Sequence, residues 1–376
     1  MLTCVRGDEL MRPPCKGMTG DKSYHPALDL LRLACAYAVL IFHLGWSSSG
    51  GASVEQLVGT GVQFPGQQML RHGSVGVPIF FVISGFVIAG SASRVKPLRF
   101  LRRRAERLYP AIFICAPITA MVWIAVGRPV GHTAALLVKS LLLIPVGGWI
   151  DGPYWTLGVE VWFYALVFVI ISVAGQRHLK SAAIVLACIG SAYWLLLTLH
   201  ASAGLSSPAM QAFVHWRPLS LHWLVHFALG MLIFFAKQER LNAGGTAALV
   251  IAAAAGLVQT SQLLRPDLTH AAPALLWLTG VAVIALSKPT VPEKAHPAIR
   301  LAGLTTYPLY LIHFAVGLVL VRLAVDAGSP PIAAIALVTI CLTGFAAAVA
   351  AFLEPLVRSI LVNFMEAIAP RAVPRG

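Results

Sequence analysis

Long apolar stretches recur along this chain at short intervals, and they constrain its fold more than any other feature. Each is 16 to 24 residues long, and a helix of about 20 apolar residues crosses the hydrocarbon core of a bilayer. Because 58% of the residues are hydrophobic and only 11% are charged, the composition excludes an ordinary soluble domain. We predict an all-α, polytopic membrane helical bundle with about ten transmembrane helices. The predicted spans are 27–46, 74–92, 109–126, 155–174, 181–199, 219–236, 246–263, 272–287, 305–326 and 331–354. A further apolar stretch, 134–146, is too short to cross.

The positions of lysine and arginine predict the orientation of these spans, because cytoplasmic loops retain positive charge. With the N-terminus inside, 21 of the 28 Lys and Arg fall in cytoplasmic segments and 5 in outer segments. We therefore predict that both termini are cytoplasmic. The same asymmetry accounts for the net charge of +14 without a nucleic-acid partner.

The bundle occupies nearly the whole chain. We predict a cytoplasmic tail at 1–26, one transmembrane domain at 27–354 and a second cytoplasmic tail at 355–376. The first segment carries charges of both signs and lacks a short apolar core followed by a cleavage site. We therefore interpret it as a tail and not as a signal peptide, with more than one methionine as a candidate start.

Neither cysteine nor histidine spacing predicts a metal site. The six cysteines stand singly, and no two share an outer loop, so we expect no disulfide. His222 and His226 are spaced like two metal ligands, but no HExxH motif and no evident third ligand accompany them. Outer-interface histidines explain the pair.

The first predicted span carries an ionisable pair, Arg32 and His43. At 1.5 Å per residue the two lie about 16 Å apart along the helix, so Arg32 is near the inner face and His43 well across the bilayer. Charged side chains in hydrocarbon are costly and commonly mark functional sites. For Arg32 the alternative is a long side chain that reaches the interface. A membrane histidine also hydrogen-bonds neighbouring helices, but titration near neutral pH makes His43 the natural general base.

A dense cationic segment, FLRRRAERLYP at 100–110, follows the second span. It places Arg102, Arg103, Arg104 and Arg107 within six positions, and we expect a loop that ends where its proline opens the next helix. The charge density indicates an anion clamp, because guanidinium groups pair bidentately with phosphate. A strong stop signal or a lipid-headgroup anchor is the alternative.

The fourth predicted span begins with PYWTLGVEVWFY at 153–164, which buries Glu160 about five residues deep. A lone intramembrane carboxylate requires a partner. Glu160 and His43 lie at similar depths from the outer face, so we expect them to meet as a carboxylate–imidazole unit. The neighbouring Trp155 fits either the site or an interfacial aromatic belt.

A last polar group lies in the ninth span, in LTTYPLYLIHFAV at 304–316. Tyr307, Tyr310 and His313 are spaced three residues apart and share one helix face. We expect this face to line a polar cavity and not to contact lipid. His313 is either a second site histidine or an interhelical hydrogen-bond partner.

These segments together resemble the integral-membrane acyltransferase family 3, whose members O-acylate surface polysaccharides, lipopolysaccharide, Nod factors and some macrolides. The resemblance spans nearly the whole chain and depends on the order of the motifs and on their topology. The motifs are R-x10-H (Arg32, His43), G-x-x-G-V-x-x-F-F-x-I-S-G-F (Gly73 to Phe86), R-R-x-x-R-L-Y-P (Arg103 to Pro110), W-T-L-x-x-E (Trp155 to Glu160) and Y-P-L-Y-L-x-H (Tyr307 to His313).

The resemblance implies an O-acetyltransferase-like enzyme of the bacterial inner (plasma) membrane that uses cytoplasmic acyl-CoA, most often acetyl-CoA, and no metal. The implied acceptor is a hydroxyl of a cell-surface or lipid-linked carbohydrate, or of a glycosylated small molecule. The other implied partners are the acyl-CoA donor and membrane lipids. The catalytic assignments are His43 and Glu160. The donor-binding cations are Arg32, Arg103, Arg104 and Arg107. The supporting residues are Trp155, Tyr307, Tyr310 and His313.

In the expected mechanism, neutral His43 takes the proton of the acceptor hydroxyl while the oxygen attacks the thioester, and Glu160 or another neighbour stabilises the imidazolium. A covalent acyl-His intermediate is the rival route. Ser84 is a weaker candidate acyl carrier, because small residues in membrane helices usually serve packing. The alternative function is a proton-coupled transporter or flippase of an anionic lipid or glycan, with Arg32, Glu160 and His313 as a relay. Broken helices and paired half-repeats are typical of that class, and the sequence indicates neither.

Overall fold

The structure is a computed structural model that describes residues 24–46, 64–144, 148–202, 220–262, 271–290 and 296–368. Within these ranges the chain is almost entirely helical, without a β-strand. The α-helices are α1 (Pro26–Ile41), α2 (Gly76–Ala92), α3 (Pro97–Ala125), α4 (Val130–Leu141), α5 (Trp155–Val173), α6 (Leu179–Ser202), α7 (Leu221–Gln238), α8 (Ala243–Gln262), α9 (Ala271–Leu286), α10 (Pro297–Ile312), α11 (Ala315–Asp326), α12 (Pro331–Ala348) and α13 (Glu354–Ile368). A π-helical turn, Phe42–Trp46, extends α1, and a 3-10 helix, Gln67–Val75, leads into α2.

The predicted all-α bundle is confirmed. In the part of the chain that the structure describes, eight helical segments are long and apolar enough to cross a membrane. They are Pro26–Trp46, Gln67–Ala92, Pro97–Ala125, Gly152–Val173, Gln176–Leu199, Leu221–Gln238, Ala243–Ser261 and Pro331–Ala367. Of the two short apolar helices, α4 has 12 residues, in keeping with the prediction that this region does not cross. α9 has 16 residues, about 24 Å of helix, and corresponds to the eighth predicted span.

The ninth predicted span, 305–326, is not one continuous helix. α10 and α11 are bent by 75° at His313 and Phe314. At the bend the backbone N–H of Ala315 donates to the carboxylate of Asp151, at 3.1 Å, instead of to a carbonyl one turn earlier in its own helix. A side chain that enters the helical hydrogen-bond ladder is a recognised cause of a kink. The expectation of no broken helix is therefore wrong, and the break falls at a predicted site residue.

The arginine-rich segment is also helical, where we expected a loop. α3 begins at Pro97, in the first turn, where proline has no helical hydrogen bond to lose, and it runs for 29 residues. Pro110 and Pro117 lie inside it. Membrane helices tolerate interior prolines because neighbouring groups satisfy the freed carbonyls. The arginines therefore follow helical periodicity, and only some of them point toward the bundle.

The centre of the bundle depends on a close crossing of α2 and α7. A Cβ atom on Gly85 would clash with the carbonyl oxygen of Phe227, and one on Gly230 would clash with that of Val82. Small residues of this kind let membrane helices approach backbone to backbone. The crossing makes α2 a buried central helix, from which side chains reach the cavities described below.

Large apolar side chains cover the outside of the bundle. Val173, Leu286 and Phe352, on three different segments, are 83%, 77% and 75% exposed. Such exposure is unfavourable in water and is what a surface toward hydrocarbon requires.

α13 covers most of the predicted C-terminal tail 355–376, whereas nearly all of the predicted tail 1–26 lies outside the described residues. α13 packs against α3, and two side-chain hydrogen bonds join the described residues of the two helices. Arg102 donates to Glu366 at 2.7 Å, and Arg358 donates to the carbonyl oxygen of Glu106 at 3.2 Å.

Candidate active site

The two ionisable residues of the first span belong to two different cavities. Arg32 is on the second turn of α1, and His43 is in the π-helical turn that follows this helix. Their spacing of eleven residues corresponds to about 16 Å of helix. We call the cavity at Arg32 the arginine cavity and the one at His43 the histidine cavity.

The arginine cavity combines three guanidinium groups with one carboxylate. The charged residues of its lining are Arg32, Arg104, Arg107 and Glu160, and apolar side chains of α2 complete the wall. Arg32 is paired with Asp29 at 2.8 Å. The buried Arg104 stacks against two aromatic rings, and its Nε atom has no hydrogen-bond partner among the described residues. A buried cation with an open donor is suited to an anionic ligand.

The other two arginines of the cluster do not line this cavity. Arg103 is exposed. Arg102 is held by Glu106 and Glu366, both at 2.7 Å. Residues three apart, such as Arg104 and Arg107, share a helix face, whereas the residue before Arg104 points about 100° away. The assignment of Arg103 to the donor site is therefore not supported by its position.

Glu160 lies beside Tyr164 and Ser84, and not beside His43 as we expected from its depth. The Tyr164 hydroxyl donates to its carboxylate at 2.7 Å and the Ser84 hydroxyl at 2.9 Å. The physical reason is the position of the helix start. Trp155, the first residue of α5, is level with the histidine cavity, so a residue five positions on lies about 7.5 Å deeper.

The histidine cavity is mainly aromatic. Three indole rings line it, from Trp46, Trp155 and Trp223, together with His43. The last two of these indoles have ring centroids 5.2 Å apart. The remaining polar lining consists of Arg71, Ser74, Thr260 and Tyr310. None of the described side chains that line it is acidic.

A short hydrogen-bond chain fixes the orientation of His43. Its Nδ1 atom is 2.7 Å from Nε2 of His313, and Nδ1 of His313 is 2.9 Å from the carbonyl oxygen of Tyr310. A carbonyl only accepts, so Nδ1 of His313 carries a proton. In neutral His313 the Nε2 atom then accepts, so Nδ1 of His43 donates. This tautomer assignment leaves the lone pair of His43 on Nε2.

The face predicted for Tyr307, Tyr310 and His313 is only partly a cavity lining. Tyr307 and Tyr310 line the arginine cavity, and Tyr310 lines the histidine cavity as well. Its hydroxyl accepts a hydrogen bond from Thr156 at 3.2 Å. His313 is fully buried behind His43. The two cavities therefore share a wall, to which Val77 also contributes.

Sequence reasoning missed two polar residues of this region. Asp151 is buried, and its two carboxylate oxygens accept from the backbone N–H groups of Gly152 and Ala315, at 2.8 and 3.1 Å. It thereby caps α11 and places His313 at the break. Arg71 lines the histidine cavity. One signal was available for Arg71, because it is the single Lys or Arg in the predicted outer loop 47–73.

The sequence is similar to known acyltransferases over most of its length. The family profile of the acyltransferase domain, Acyl_transf_3, matches residues 25–352. A curated protein of Komagataeibacter xylinus, "Putative membrane-bound transacylase BcsY", is 25% identical over 318 residues, which cover 76% of this chain and 71% of the relative. "Acyltransferase MdmB" of Streptomyces mycarofaciens is 27% identical over 319 residues, which cover 77% and 78%. No solved structure matches the chain significantly.

The profile match covers both cavities, from the start of α1 to the end of α12. It contains the predicted R-x10-H pair, the arginine cluster, Glu160 and His313. Together with the apolar helices, it identifies an integral membrane enzyme. The chain belongs to the integral-membrane acyltransferase family 3.

Proposed function

We propose that this enzyme transfers an acyl group, with acetyl as the first candidate, from cytoplasmic acyl-CoA to a hydroxyl of a cell-surface or lipid-linked carbohydrate or of a glycosylated small molecule. One observation carries the proposal. An oriented histidine, His43, lines an aromatic cavity that shares a wall with a second, arginine-lined cavity. Donor and acceptor are thus proposed to have separate, chemically different sites on either side of one shared wall, with the general base in the acceptor site.

The arginine cavity is the proposed donor site. Coenzyme A carries several phosphate groups, and Arg32, Arg104 and Arg107 supply guanidinium groups that pair with phosphate oxygens. Glu160 is then a donor-site residue, because it lies in this cavity and offsets part of the positive charge. The apolar side chains of α2 line the path of the thioester toward the shared wall.

The histidine cavity is the proposed acceptor site. Its indole rings offer broad apolar faces for a sugar ring, and its few polar groups fix the orientation of the ligand. The asymmetry of Lys and Arg supports an outward-facing histidine cavity with both termini in the cytoplasm. The bacterial inner membrane is the proposed location, since both relatives are bacterial proteins and one is described as membrane-bound.

In the proposed chemical step, Nε2 of His43 takes the proton of the acceptor hydroxyl as the oxygen attacks the thioester carbonyl. The new C–O bond forms and the C–S bond breaks, and the imidazolium returns the proton to the thiolate of coenzyme A. His313 accepts a hydrogen bond from Nδ1 of His43 throughout, so it stabilises the imidazolium. A covalent acetyl-His43 intermediate is the competing route. Label that stays on acid-quenched protein when acceptor is omitted supports that route.

The break between α10 and α11 favours a second candidate, a proton-coupled transporter or flippase. Transporters often build their sites from broken helices near the membrane midplane, and His313 lies at such a break. In this function Arg32, Glu160 and His313 form a relay and no acyl group moves.

Radiolabel transfer separates the two functions. Membranes that express the chain are supplied with acetyl-CoA labelled in the acetyl group, and label is measured in the glycan and lipid fractions. His43→Ala is the test variant. His132→Ala is the matched control, since His132 is exposed on α4 and lines neither cavity. We expect incorporation that His43→Ala abolishes and His132→Ala retains. No incorporation from acetyl-, succinyl- or longer acyl-CoA, or incorporation indifferent to His43, contradicts the acyltransfer mechanism and favours transport.

A further inference from the structure

One cation in the histidine cavity has no assigned role in acyl transfer. Arg71 is in the 3-10 helix before α2, and its guanidinium lies over the ring of Trp46, with Cζ 5.8 Å from the ring centroid. Its Nε and Nη2 atoms are buried, and neither has a hydrogen-bond partner among the described residues. A guanidinium always carries its charge, so these are two buried donors of a partly buried cation.

A cation with buried donors normally has an anionic partner, because the loss of hydration is costly. Asp29 takes this role for Arg32, at 2.8 Å. Among the described residues Arg71 has no such partner, since the described lining of the histidine cavity is free of acidic side chains. The stacking on Trp46 holds the planar guanidinium at the cavity wall and leaves its edge available for a bidentate contact.

We infer that the acceptor is anionic: Arg71 binds a carboxylate or phosphate of the acceptor close to the hydroxyl that is acylated. This inference rests on the proposed function and narrows its substrate class. Arg71 and His43 line the same cavity, so the anionic group and the reacting hydroxyl lie within one sugar unit or on neighbouring units. The indoles of Trp155 and Trp223 then hold the sugar face, and Arg71 selects its charge. The anion comes either from an acidic sugar or from the phosphate of a lipid carrier.

Binding to the purified full chain in nanodiscs tests the inference and distinguishes the two sources. The probes are a glucuronic acid tetrasaccharide against a glucose tetrasaccharide, and an isoprenyl phosphate against the matching isoprenol. We expect one anionic probe to bind about tenfold or more tightly than its neutral counterpart, as a charge-assisted bidentate contact provides. Preference for the acidic sugar identifies the first source, and preference for the isoprenyl phosphate the second.

Three variants connect the preference to Arg71. Arg71→Gln removes it, and Arg71→Lys retains only part of it, because an ammonium group has the charge without the planar fork. Arg128→Gln is the matched control and keeps it, since Arg128 also stacks on an indole, with Cζ 4.5 Å from the Trp123 ring, but lines neither cavity. If Arg71→Gln does not fold, the anion preference of Arg71→Lys is compared with that of Arg128→Gln. A weaker preference in Arg71→Lys supports the inference, and equal preferences contradict it.

Equal binding of charged and neutral probes, no binding of either anion, or a preference that survives Arg71→Gln overturns the inference. The readout requires no acyl transfer. Loss of transfer with an intact anion preference therefore contradicts the proposed function alone, and transfer without such a preference contradicts the anionic acceptor alone.

Discussion

The Nδ1 atom of His43 lies 2.7 Å from the Nε2 atom of His313, although the two residues are 270 positions apart in the chain. The contact exists because α10 ends at Ile312 and leaves His313 at the break before α11. The Tyr310 carbonyl and His313 together set the tautomer of His43. We therefore propose that His313 is a positioning residue, which acts through His43.

Replacement of His313 separates this positioning role from simple packing. His313→Phe removes the acceptor for Nδ1 of His43, and we expect kcat to fall about 100-fold, the lower end of what a general base contributes. His313→Gln keeps an acceptor oxygen and restores part of the activity. The KM for acetyl-CoA stays unchanged in both, because His313 does not line the arginine cavity. Steady-state kinetics measures kcat and KM for the two variants, and thermal unfolding checks that their stabilities are equal. Equal losses in the two variants mean that His313 only fills space.

Asp151→Ala removes the cap of α11. We expect a loss of about 0.5–2 kcal/mol of stability, the usual cost of a lost N-cap, together with a lower kcat because His313 at the adjacent break is less well held. Thermal unfolding of the purified protein and acyl-transfer kinetics report the two effects. The control is Asp326→Ala, which removes a more exposed carboxylate paired with Arg322. Full activity in Asp151→Ala argues against a link between the cap and the site.

Arg104→Gln and Arg103→Gln test the donor site with neighbouring residues. Arg104 lines the arginine cavity, so its loss raises the KM for acetyl-CoA about tenfold, as expected when one charge-assisted hydrogen bond to phosphate is lost. Arg103 is exposed and outside the lining, so Arg103→Gln leaves KM within about twofold of the parent value. The reverse pattern places the donor along the exposed face of α3.

The shared wall predicts a limit on acyl length. Tyr310→Ala removes most of one side chain of this wall, and we expect transfer from butyryl-CoA to rise relative to acetyl-CoA. Tyr310→Phe removes only the hydrogen bond with Thr156 and keeps the ring, so its acyl preference stays that of the parent. Competition between the two labelled donors gives the ratio of their kcat/KM values. An unchanged ratio in Tyr310→Ala shows that another part of the chain sets the acyl length.

Gly85→Ala tests the crossing of α2 and α7. Its new methyl group meets the carbonyl oxygen of Phe227, so the helices must separate, and we expect a lower unfolding midpoint. Gly344→Ala is the matched control, because a Cβ there meets no atom within 4 Å, and alanine favours a helix over glycine. Its midpoint stays equal or rises. A stable Gly85→Ala variant contradicts the close crossing.

Properties that depend on position along one helix could be predicted from the sequence. Eight of the ten predicted spans correspond to helical segments long enough to cross, so they follow from apolar length. The placement of Arg32 and His43 in separate regions follows from eleven residues of helical rise. The grouping of Tyr307 with Tyr310 follows from a spacing of three residues.

Properties that depend on rotation or on a distant segment could not be predicted. We expected Glu160 to meet His43 because the two had similar predicted depths from the outer face. The start of α5 at Trp155 instead puts the carboxylate deeper in the membrane. No glycine or proline stands at His313 or Phe314 to indicate the 75° break. The group that contacts the backbone there is Asp151, more than 160 residues earlier in the chain, and local sequence does not reveal it. A cluster of adjacent arginines likewise gives charge density but not the face on which each residue lies.

The wall that contains Val77 and Tyr310 also has an electrical consequence. On the proposed topology the two cavities open toward opposite aqueous phases, so most of the membrane voltage drops across this short partition. A unit charge that passes it gains or loses about 2.3 kcal/mol per 100 mV. The proton that His43 takes from the acceptor and returns to the thiolate moves inward, while the acyl group, formally a cation, moves outward. No net charge therefore crosses the partition, and the proposed reaction needs no membrane voltage to proceed.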